Sequence, residues 1–127
     1  MVTGIGGIFI KAKDPRALAE WYQKHLGISF GKNNWVDFKW INENDPAVAG
    51  NTVFSFFNEH TDYFNPSAKQ YMINFRVKNL DQLLDQLKKE SVWVAERTEE
   101  YEYGKFGWIM DPEGNKIELW EPVDKKL

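Results

Sequence analysis

Histidine and cysteine, the side chains most used in nucleophilic and metal chemistry, are scarce in this chain. The sequence contains no cysteine and only two histidines, His25 and His60. The lack of cysteine excludes disulfide frameworks, thiolate zinc sites and cysteine nucleophiles. The sequence also contains no Ser–His–Asp series, P-loop or dinucleotide-binding glycine pattern. Histidine-based catalysis therefore has few candidates.

The two histidines occupy different sequence environments. His25 falls in the last turn of a predicted helix, where a cation interacts favourably with the helix dipole, so we expect a structural role. His60 follows Glu59 and precedes Asp62 in a polar stretch that reads as a loop. These three side chains could supply metal ligands. An exposed polar loop is the simpler interpretation, and we favour it.

A polar pair on a predicted strand is the next candidate. Alternation places Met72, Asn74 and Arg76 on one face of that strand. Arg76 could bind an anionic ligand through its planar guanidinium group. A surface or interfacial ion pair is an equally good interpretation of this arginine, so the sequence leaves both open.

The elements that must position these residues form two similar segments. Residues 8–15 can be laid over residues 73–80, about half a chain length later. In the first copy, Asp14 is a suitable helix N-cap, and Gly27 fits the residue after the helix end. The apolar face of this helix is predicted to contain Leu18, Trp21, Tyr22, His25 and Leu26.

The second copy repeats the order of strand, cap and helix. Asn79 can cap a helix whose apolar stripe is Leu80, Leu83, Leu84 and Leu87. Short strands are predicted after each helix, at residues 28–30, 35–40 and 52–57, and at residues 92–95, 106–110 and 116–121. The stretch Asp111-Pro112-Glu113-Gly114-Asn115 predicts a tight hairpin turn between the last two. The pattern is βαβββ twice, with module one at about residues 4–60 and module two at about residues 70–122 of a single domain over residues 1–127.

These segments resemble the vicinal oxygen chelate superfamily, which contains glyoxalases, bleomycin-resistance proteins and extradiol dioxygenases. The resemblance is carried first by Gly4-Ile5-Gly6-Gly7-Ile8-Phe9-Ile10, followed by Lys13-Asp14-Pro15. Its most specific part is the closing run over residues 104–120, where an aromatic strand precedes Asp-Pro-Glu-Gly-Asn and then Ile-Glu-Leu-Trp. The resemblance covers nearly the whole chain.

The resemblance implies an α+β fold. Two tandem βαβββ modules form a barrel-like curved mixed sheet around one cavity, with helices on the outer face. It also implies a homodimer, and in the enzymes of the superfamily a divalent metal that chelates oxygens of the substrate. Other members bind a drug without performing chemistry, so the fold alone cannot assign the activity.

Carried over position by position, the resemblance keeps only one of three metal ligands. Glu118 matches the acid on the final strand, whereas the two first-strand histidine positions fall on Gly7 and Met72. Glycine offers no side-chain ligand, and a thioether is a poor ligand for the harder divalent ions. We therefore expect no metal cofactor, and Glu118 to bind a metal only if one is present.

Glu118 itself has two interpretations. It faces the cavity, as the family motif implies, or it lies in solvent or pairs with Lys105 or Lys116. In the first case burial would raise its pKa, and a nearby arginine would lower it. With the cavity interpretation, the expected ligand-binding residues are Gly7, Met72, Asn74, Arg76, Trp108, Glu118 and Trp120.

Charge and hydropathy limit the partners. A net charge of −3 offers no basic surface for nucleic acid or anionic lipid, so we expect neither a nucleic-acid nor a membrane partner. The longest apolar stretch, residues 5–10, is too short to span a bilayer. The N-terminus lacks the basic region of a signal peptide, and we expect a cytoplasmic protein.

Aromatic residues make up 16% of the chain and can line a ligand pocket as well as fill a core. We therefore expect a small, partly aromatic or amphipathic ligand, bound without a metal. The alternative is a glyoxalase- or dioxygenase-like enzyme that holds a metal through Glu118 and non-standard ligands. A third interpretation is an interaction module with a vestigial pocket.

The polar stretch Arg97–Lys105, with two tyrosines before Gly104, reads as a solvated loop or a lid.

Overall fold

The computed structural model describes residues 1–41 and 45–123. In this part of the chain two helices and seven strands alternate in the order expected of a repeated module. The elements are β1 Val2–Ala12, α1 Pro15–Leu26, β2 Trp35–Ile41, β3 Ala49–Asn58, β4 Tyr71–Val77, α2 Leu80–Lys89, β5 Glu99–Tyr101, β6 Gly104–Met110 and β7 Lys116–Pro122. We call β1, α1, β2 and β3 the first module, and β4, α2, β5, β6 and β7 the second module.

All seven strands belong to one sheet, in the order β2-β3-β1-β4-β7-β6-β5. Each module contains one parallel pair, β1 with β3 and β4 with β7. The modules meet where β1 pairs antiparallel with β4, and β1 has register shifts between Val2 and Gly4 and between Ile5 and Gly7. The predicted α+β fold with a curved mixed sheet is confirmed. The sheet is open rather than closed into a barrel, and β2 and β5 are its edges.

Helix α1 forms where its local signals predict. Asp14 Oδ1 accepts a hydrogen bond from the Ala17 backbone N–H at 3.0 Å, and Pro15 is the first helical residue. Gly27 ends the helix with a left-handed backbone, at φ 71°. The helix packs through the fully buried Ala19 on an aromatic layer, whose members include Tyr22, Phe30, Phe54 and Phe56.

Helix α2 packs on the same side of the sheet through the predicted leucines, with Leu80 and Leu84 buried against Val77 and Leu119. Its start differs from the prediction. Asn79 precedes the helix in a left-handed conformation and makes no side-chain capping bond. The Leu80 backbone N–H instead donates to Glu121 Oε1 on β7, at 2.7 Å. The cap is therefore supplied by tertiary structure.

The strands after the helices differ from the predicted set. Residues 28–30 form no strand, because Gly27 has just ended α1 and Phe30 turns inward to the aromatic layer. Residues 92–95 contribute a single bridge, between Val94 and Ile109. The edge strand of the second module is instead β5, inside the segment interpreted as a loop or lid. The two tyrosines of that segment therefore sit on a tight hairpin.

The last hairpin forms as predicted between β6 and β7. Asp111 Oδ1 accepts the backbone N–H groups of Glu113 and Asn115, both at 2.9 Å, and Gly114 adopts a positive φ of 84°. The hydrogen bond from the Asn115 side chain is the largest cause of a lowered pKa of the Asp111 carboxyl, and the backbone hydrogen bonds lower it further. The turn fixes the register in which Trp108 lies opposite Glu118.

Neither helix in the described residues is long and apolar enough to cross a bilayer.

Candidate functional site

A cavity of about 490 Å³ lies on the sheet face that α1 and α2 leave uncovered. Its volume is within the range of small-molecule sites. Both modules contribute to it: Gly6, Phe9, Trp35, Asp37, Asn51 and Val53 come from the first, Asn74, Tyr103, Phe106, Glu118 and Trp120 from the second, and Tyr63 from the segment between them. Most of the wall is therefore aromatic or aliphatic, with a few polar groups.

The cavity has a polar floor, formed by Asn74, Glu118 and Tyr63. Glu118 is at its centre and is only 2% exposed. Parallel pairing of β4 with β7 places Asn74 directly beside it, and Asn74 Nδ2 donates to Glu118 Oε1 at 2.6 Å. The Trp108 indole N–H donates to Oε2 at 2.8 Å. The Tyr63 hydroxyl donates to the same oxygen in a short hydrogen bond. Three donors from three elements thus hold one carboxyl in the sheet.

Burial dominates the electrostatics of this floor. It raises the pKa of the Glu118 carboxyl above its ordinary value, although the hydrogen bonds from Tyr63, Asn74 and Trp108 lower it. Burial, together with the charge of Glu118, also raises the pKa of the Tyr63 hydroxyl. Because both shifts favour the protonated forms, the pair holds protons more firmly than the same groups would in water.

Asn74 carries an acceptor without a partner. The residue is 2% exposed, and its Oδ1 has no hydrogen-bond partner among the described residues. A side chain at Gly6 would overlap this oxygen, so the glycine allows Asn74 Oδ1 to pack closely against β1. An unpaired buried polar group costs about 1–3 kcal/mol.

Arg76 shares the strand face of Asn74, as predicted, but it does not line the cavity. The residue is 1% exposed, and its guanidinium lies between the indoles of Trp40 and Trp120, 5.2 and 5.0 Å from the two rings. Its Nη1 donates to Asn51 Oδ1 at 2.9 Å. This arginine therefore supports the cavity wall from behind and does not present its fork to a ligand.

The two predicted histidine positions have no ligating role in this chain. Met72 is 1% exposed and packs in the apolar cluster with Phe9, Phe64 and Trp108. A side chain at Gly7 would meet the Phe9 ring at 2.8 Å, so that ring fills the place of a first-strand ligand. The β1 glycine that lines the cavity is Gly6, one position earlier.

A divalent metal does not fit the residues present. No group of three or more His, Cys, Asp or Glu residues in the described ranges is placed to hold one. Both oxygens of Glu118 already accept hydrogen bonds from neutral donors, Asn74 on Oε1 and Tyr63 and Trp108 on Oε2. The described residues therefore offer a divalent ion too few ligands.

The two predicted tryptophans lie on different sides of the site. Trp120 lines the cavity, stacks on Phe106 at 5.7 Å with the rings 5° from parallel, and donates from Nε1 to the Tyr103 carbonyl at 3.0 Å. Trp108 bonds to Glu118 from behind and lines a smaller cavity of about 250 Å³, where Arg97 and Lys116 lie over its ring. Of the two tryptophans, Trp120 is therefore the one that lines the main cavity.

The remaining candidates lie outside the main cavity. His25 is exposed on α1, and its ring contacts that of Trp21 in a tilted arrangement, with the centroids 4.8 Å apart. His60 is exposed in its loop, 3.5 Å from the Glu59 carboxylate. Lys116 donates to the Tyr63 carbonyl at 2.7 Å, and Lys105 lies 3.5 Å from Asp81. The structure thus favours the cavity interpretation of Glu118 over pairing with either lysine.

Sequence reasoning missed most of the residues that line the cavity, among them Tyr63, Asp37, Asn51 and Trp35. Tyr63 lies in the polar loop, 55 positions before Glu118, and a long-range pairing of this kind leaves no periodic signal. Asp37 and Asn51 bond to each other across β2 and β3, at 2.8 Å, near the mouth. Trp35 is on the edge strand β2. Its aromatic type and its alternation with Asp37 were the available signal.

Comparison with protein families gives one match that covers most of the chain. A family model described as a glyoxalase-like domain matches residues 7–120. A search of curated protein sequences finds no match.

Solved structures of similar fold agree with this assignment. Methylmalonyl-CoA epimerase from Mycobacterium tuberculosis is 20% identical, with a TM-score of 0.61 over 96% of this chain and 89% of that one. A variant of the Streptomyces coelicolor methylmalonyl-CoA epimerase, in complex with 2-nitronate-propionyl-CoA, is 15% identical, with a TM-score of 0.67 over 100% and 99% of the two chains. A glyoxalase/bleomycin resistance protein/dioxygenase superfamily member from Vibrio splendidus 12B01 is 11% identical, with a TM-score of 0.59 over 92% and 97%. At these identities the likeness shows the fold.

Proposed function

This chain belongs to the glyoxalase-like domain family, and from that premise we propose that it binds a small organic ligand in its main cavity without a metal ion. The observation that carries the proposal is the composition of the cavity. An aromatic and aliphatic wall built from both modules surrounds a floor of Asn74, Glu118 and Tyr63, in about 490 Å³. A few fixed polar groups in an apolar pocket are typical of small-molecule sites.

The floor supports binding through its rigidity. Glu118 is held by three donors, and those donors sit on β4, β6 and the loop that contains Tyr63. Side chains fixed in this way do not have to be ordered when a ligand arrives, which lowers the entropic cost of binding. The aromatic wall then supplies the contacts.

The alternative is a glyoxalase- or dioxygenase-like enzyme that uses a metal. It requires ligands beyond Glu118, and Gly7 and Met72 provide none. The similarity to methylmalonyl-CoA epimerases favours an enzyme only at the level of the fold. We therefore rank ligand binding without a metal above metal-dependent catalysis.

The binding test uses a panel of uncharged one- and two-ring aromatic compounds, screened by thermal shift and measured by calorimetry. We expect several compounds to raise the melting temperature and to bind with one site per chain. The variants Trp35→Ala and Tyr103→Ala should each weaken binding about 2- to 10-fold, the value of one aromatic contact. Trp21→Ala is the matched control, since Trp21 is 51% exposed on α1 and outside this cavity.

A panel with no binder would overturn the proposal. So would binding that responds to Trp21→Ala as strongly as to the two cavity variants. The absence of a metal is tested separately, by elemental analysis of protein purified without chelators. We expect less than stoichiometric metal, and a tightly held equivalent of any divalent ion would favour the enzyme.

The assembly and compartment are part of the same proposal. Edge strand β2 carries Trp35, Phe38 and Ile41, which are 45%, 45% and 61% exposed. An apolar edge of this kind needs a cover, and a homodimer provides one. We also propose a cytoplasmic location, because a chain without cysteine forms no disulfide bonds and is suited to a reducing compartment. Sedimentation at micromolar concentration that shows only a 14.9 kDa species would count against the dimer.

A further inference from the structure

We infer that the smaller cavity beside Trp108 is a second binding site, and that it takes a small carboxylate anion on the Lys116 ammonium group, with Arg97 as a supporting charge. This site goes beyond the proposed function, which concerns the main cavity alone. Three observations carry the inference: the sign of the charges in the smaller cavity, the N–H groups that Lys116 has to spare, and the lack of an ion pair for this lysine among the described residues.

The smaller cavity encloses about 250 Å³ and differs from the main cavity in the sign of its charge. Among the described residues that line it, Lys116 and Arg97 are cations, and Asp62 alone carries a carboxyl group. The described lining of the main cavity has two carboxyl groups, those of Asp37 and Glu118, and no lysine, arginine or histidine. An excess of one positive charge matches the single negative charge of a carboxylate.

Lys116 has N–H groups left for an anion. Its Nζ donates to the Tyr63 carbonyl at 2.7 Å, whereas an ammonium group has three N–H donors. None of the ion pairs among the described residues includes this lysine. Its Nζ lies instead 5.4 and 5.5 Å from the ring centres of Tyr63 and Trp108. Aromatic rings thus stand where a carboxylate partner would be expected.

Partial burial leaves the charge of Lys116 poorly compensated. Burial is the largest cause of a lowered pKa of its ammonium group, and the charge of Arg97 lowers it further. The carboxylates of Glu118, Asp62 and Glu99 raise it, but none of them forms an ion pair with Nζ. A carboxylate bound to Nζ would supply the missing opposite charge.

Arg97 adds positive charge on the exposed side of the cavity. Its side chain is 76% exposed, and its Nη2 lies 2.8 Å from a carboxylate oxygen of Glu99. Its guanidinium carbon is 5.9 Å from the ring centre of Trp108, to which Lys116 also lies close. Because Glu99 and solvent both weaken its charge, Arg97 attracts the anion without having to touch it. The inference requires direct contact only with Lys116.

The test uses 4-fluorobenzoate and its uncharged counterpart 4-fluorobenzamide, with dissociation constants measured by fluorine NMR at pH 7 and low ionic strength. Lys116→Gln should weaken 4-fluorobenzoate binding at least about tenfold, because a hydrogen bond between charged groups is lost. Arg97→Gln, at an exposed position, should weaken it about two- to fivefold, and it keeps the test open if Lys116→Gln fails to fold. Neither variant should change the binding of 4-fluorobenzamide.

Two control variants separate this site from net charge and from the main cavity. Lys105→Gln removes the same charge from a lysine that lies 3.5 Å from Asp81 and lines neither cavity. Trp35→Ala alters the main cavity only. Neither control should change the affinity for 4-fluorobenzoate. The melting temperature of each variant shows whether it is folded.

An equal loss for Lys105→Gln and Lys116→Gln would overturn the inference, because the effect would then come from net charge. A loss for Trp35→Ala, with none for Lys116→Gln or Arg97→Gln, would place the anion in the main cavity and overturn it too. If 4-fluorobenzoate does not bind to the parent, the inference is wrong. The proposed function is unaffected by that result, since uncharged compounds test it.

Inorganic phosphate and acetate decide the kind of anion, as competitors of 4-fluorobenzoate at matched ionic strength. We expect acetate to displace the probe at concentrations no higher than those of phosphate, because the described lining carries an excess of only one positive charge. Displacement at lower concentrations of phosphate than of acetate would show a phosphate site and overturn the assignment to a carboxylate.

Discussion

The two modules contribute different chemistry to one cavity. At matching positions of their first strands, the first module has Phe9 where the second has Asn74, and Gly7 where the second has Met72. The second module supplies Asn74 and Glu118 of the polar floor, whereas the first supplies Gly6, apolar wall and the hydrogen-bonded pair Asp37 and Asn51. A repeated fold has thus been used asymmetrically. One copy of a repeat can therefore supply the polar floor of a site while the other copy encloses it.

The modules also attach their helices differently. The fully buried residue of α1 is Ala19, and the space around it is filled by rings from the sheet and from Tyr22. The fully buried residue of α2 is Leu80, which fills its own space against Val77 and Leu119. Aromatic side chains fill the space between α1 and the sheet, whereas the leucines of α2 fill the space between α2 and the sheet.

The largest expected effect tests this difference in packing. Leu80→Ala should leave a cavity and lower the free energy of unfolding by about 2–5 kcal/mol. Ala19→Leu should cost less, about 1–3 kcal/mol, because it overpacks a layer of rings instead of emptying one. Urea denaturation measures both. Leu26→Ala is the control, since Leu26 is 59% exposed. Equal losses for Leu80→Ala and Leu26→Ala would contradict the packing role of Leu80.

A smaller effect is expected at the helix starts. Glu121→Ala removes the carboxylate that caps α2 from β7 and should cost about 1.5–3 kcal/mol, the range of a hydrogen bond to a charged group. Asp14→Ala removes the local cap of α1 and should cost about 1 kcal/mol. Thermal unfolding of the two variants gives the order. The reverse order would show that the tertiary cap matters less than the local one.

The smallest effect is a change of slope with pH. Burial raises the pKa of Glu118 above 4.5, so between 4.5 and that raised value the folded state binds more protons than the unfolded state. This group therefore contributes stability that is present below its unfolded pKa and is lost as pH rises through its folded pKa. Glu118→Gln should remove that part of the decline, as measured by urea denaturation at a series of pH values.

Two further variants test whether the change of slope comes from Glu118. Tyr63→Phe removes a donor that lowers the pKa of Glu118, and it should move the decline to higher pH. Asp85→Asn changes the net charge by the same amount as Glu118→Gln, at an exposed position on α2. A Glu118→Gln curve parallel to that of the parent would contradict the burial-driven shift.

The parts of the fold that could be predicted are those set by local chemistry. Asp14 and Gly27 delimit α1 through bonds to neighbouring residues, and Asp111 closes its own turn. Strand alternation placed Asn74 and Arg76 on one face, and the resemblance to the family placed Glu118 in the cavity. Each of these depends on residues close in sequence or on a motif with a fixed register.

The parts that could not be predicted depend on distant partners. Alternation puts Arg76 toward the cavity side, but only the tertiary structure shows Trp40 and Trp120 on either side of it. The capping role of Glu121 spans 41 positions. The shift of register in β1 moves the open position from Gly7 to Gly6, and a bulge of this kind inverts the expected face by one residue.

The single pairing of β1 with β4 has a mechanical consequence. Because this pair is the only strand contact between the modules in the described sheet, each module is a lever arm that extends from it. With strands about 4.8 Å apart, the outer strands lie roughly 10–14 Å from the seam, so a rotation of about 5° there displaces the rims by about 1 Å. We therefore expect backbone changes at the register shifts of β1 to alter the width of the cavity between the two modules.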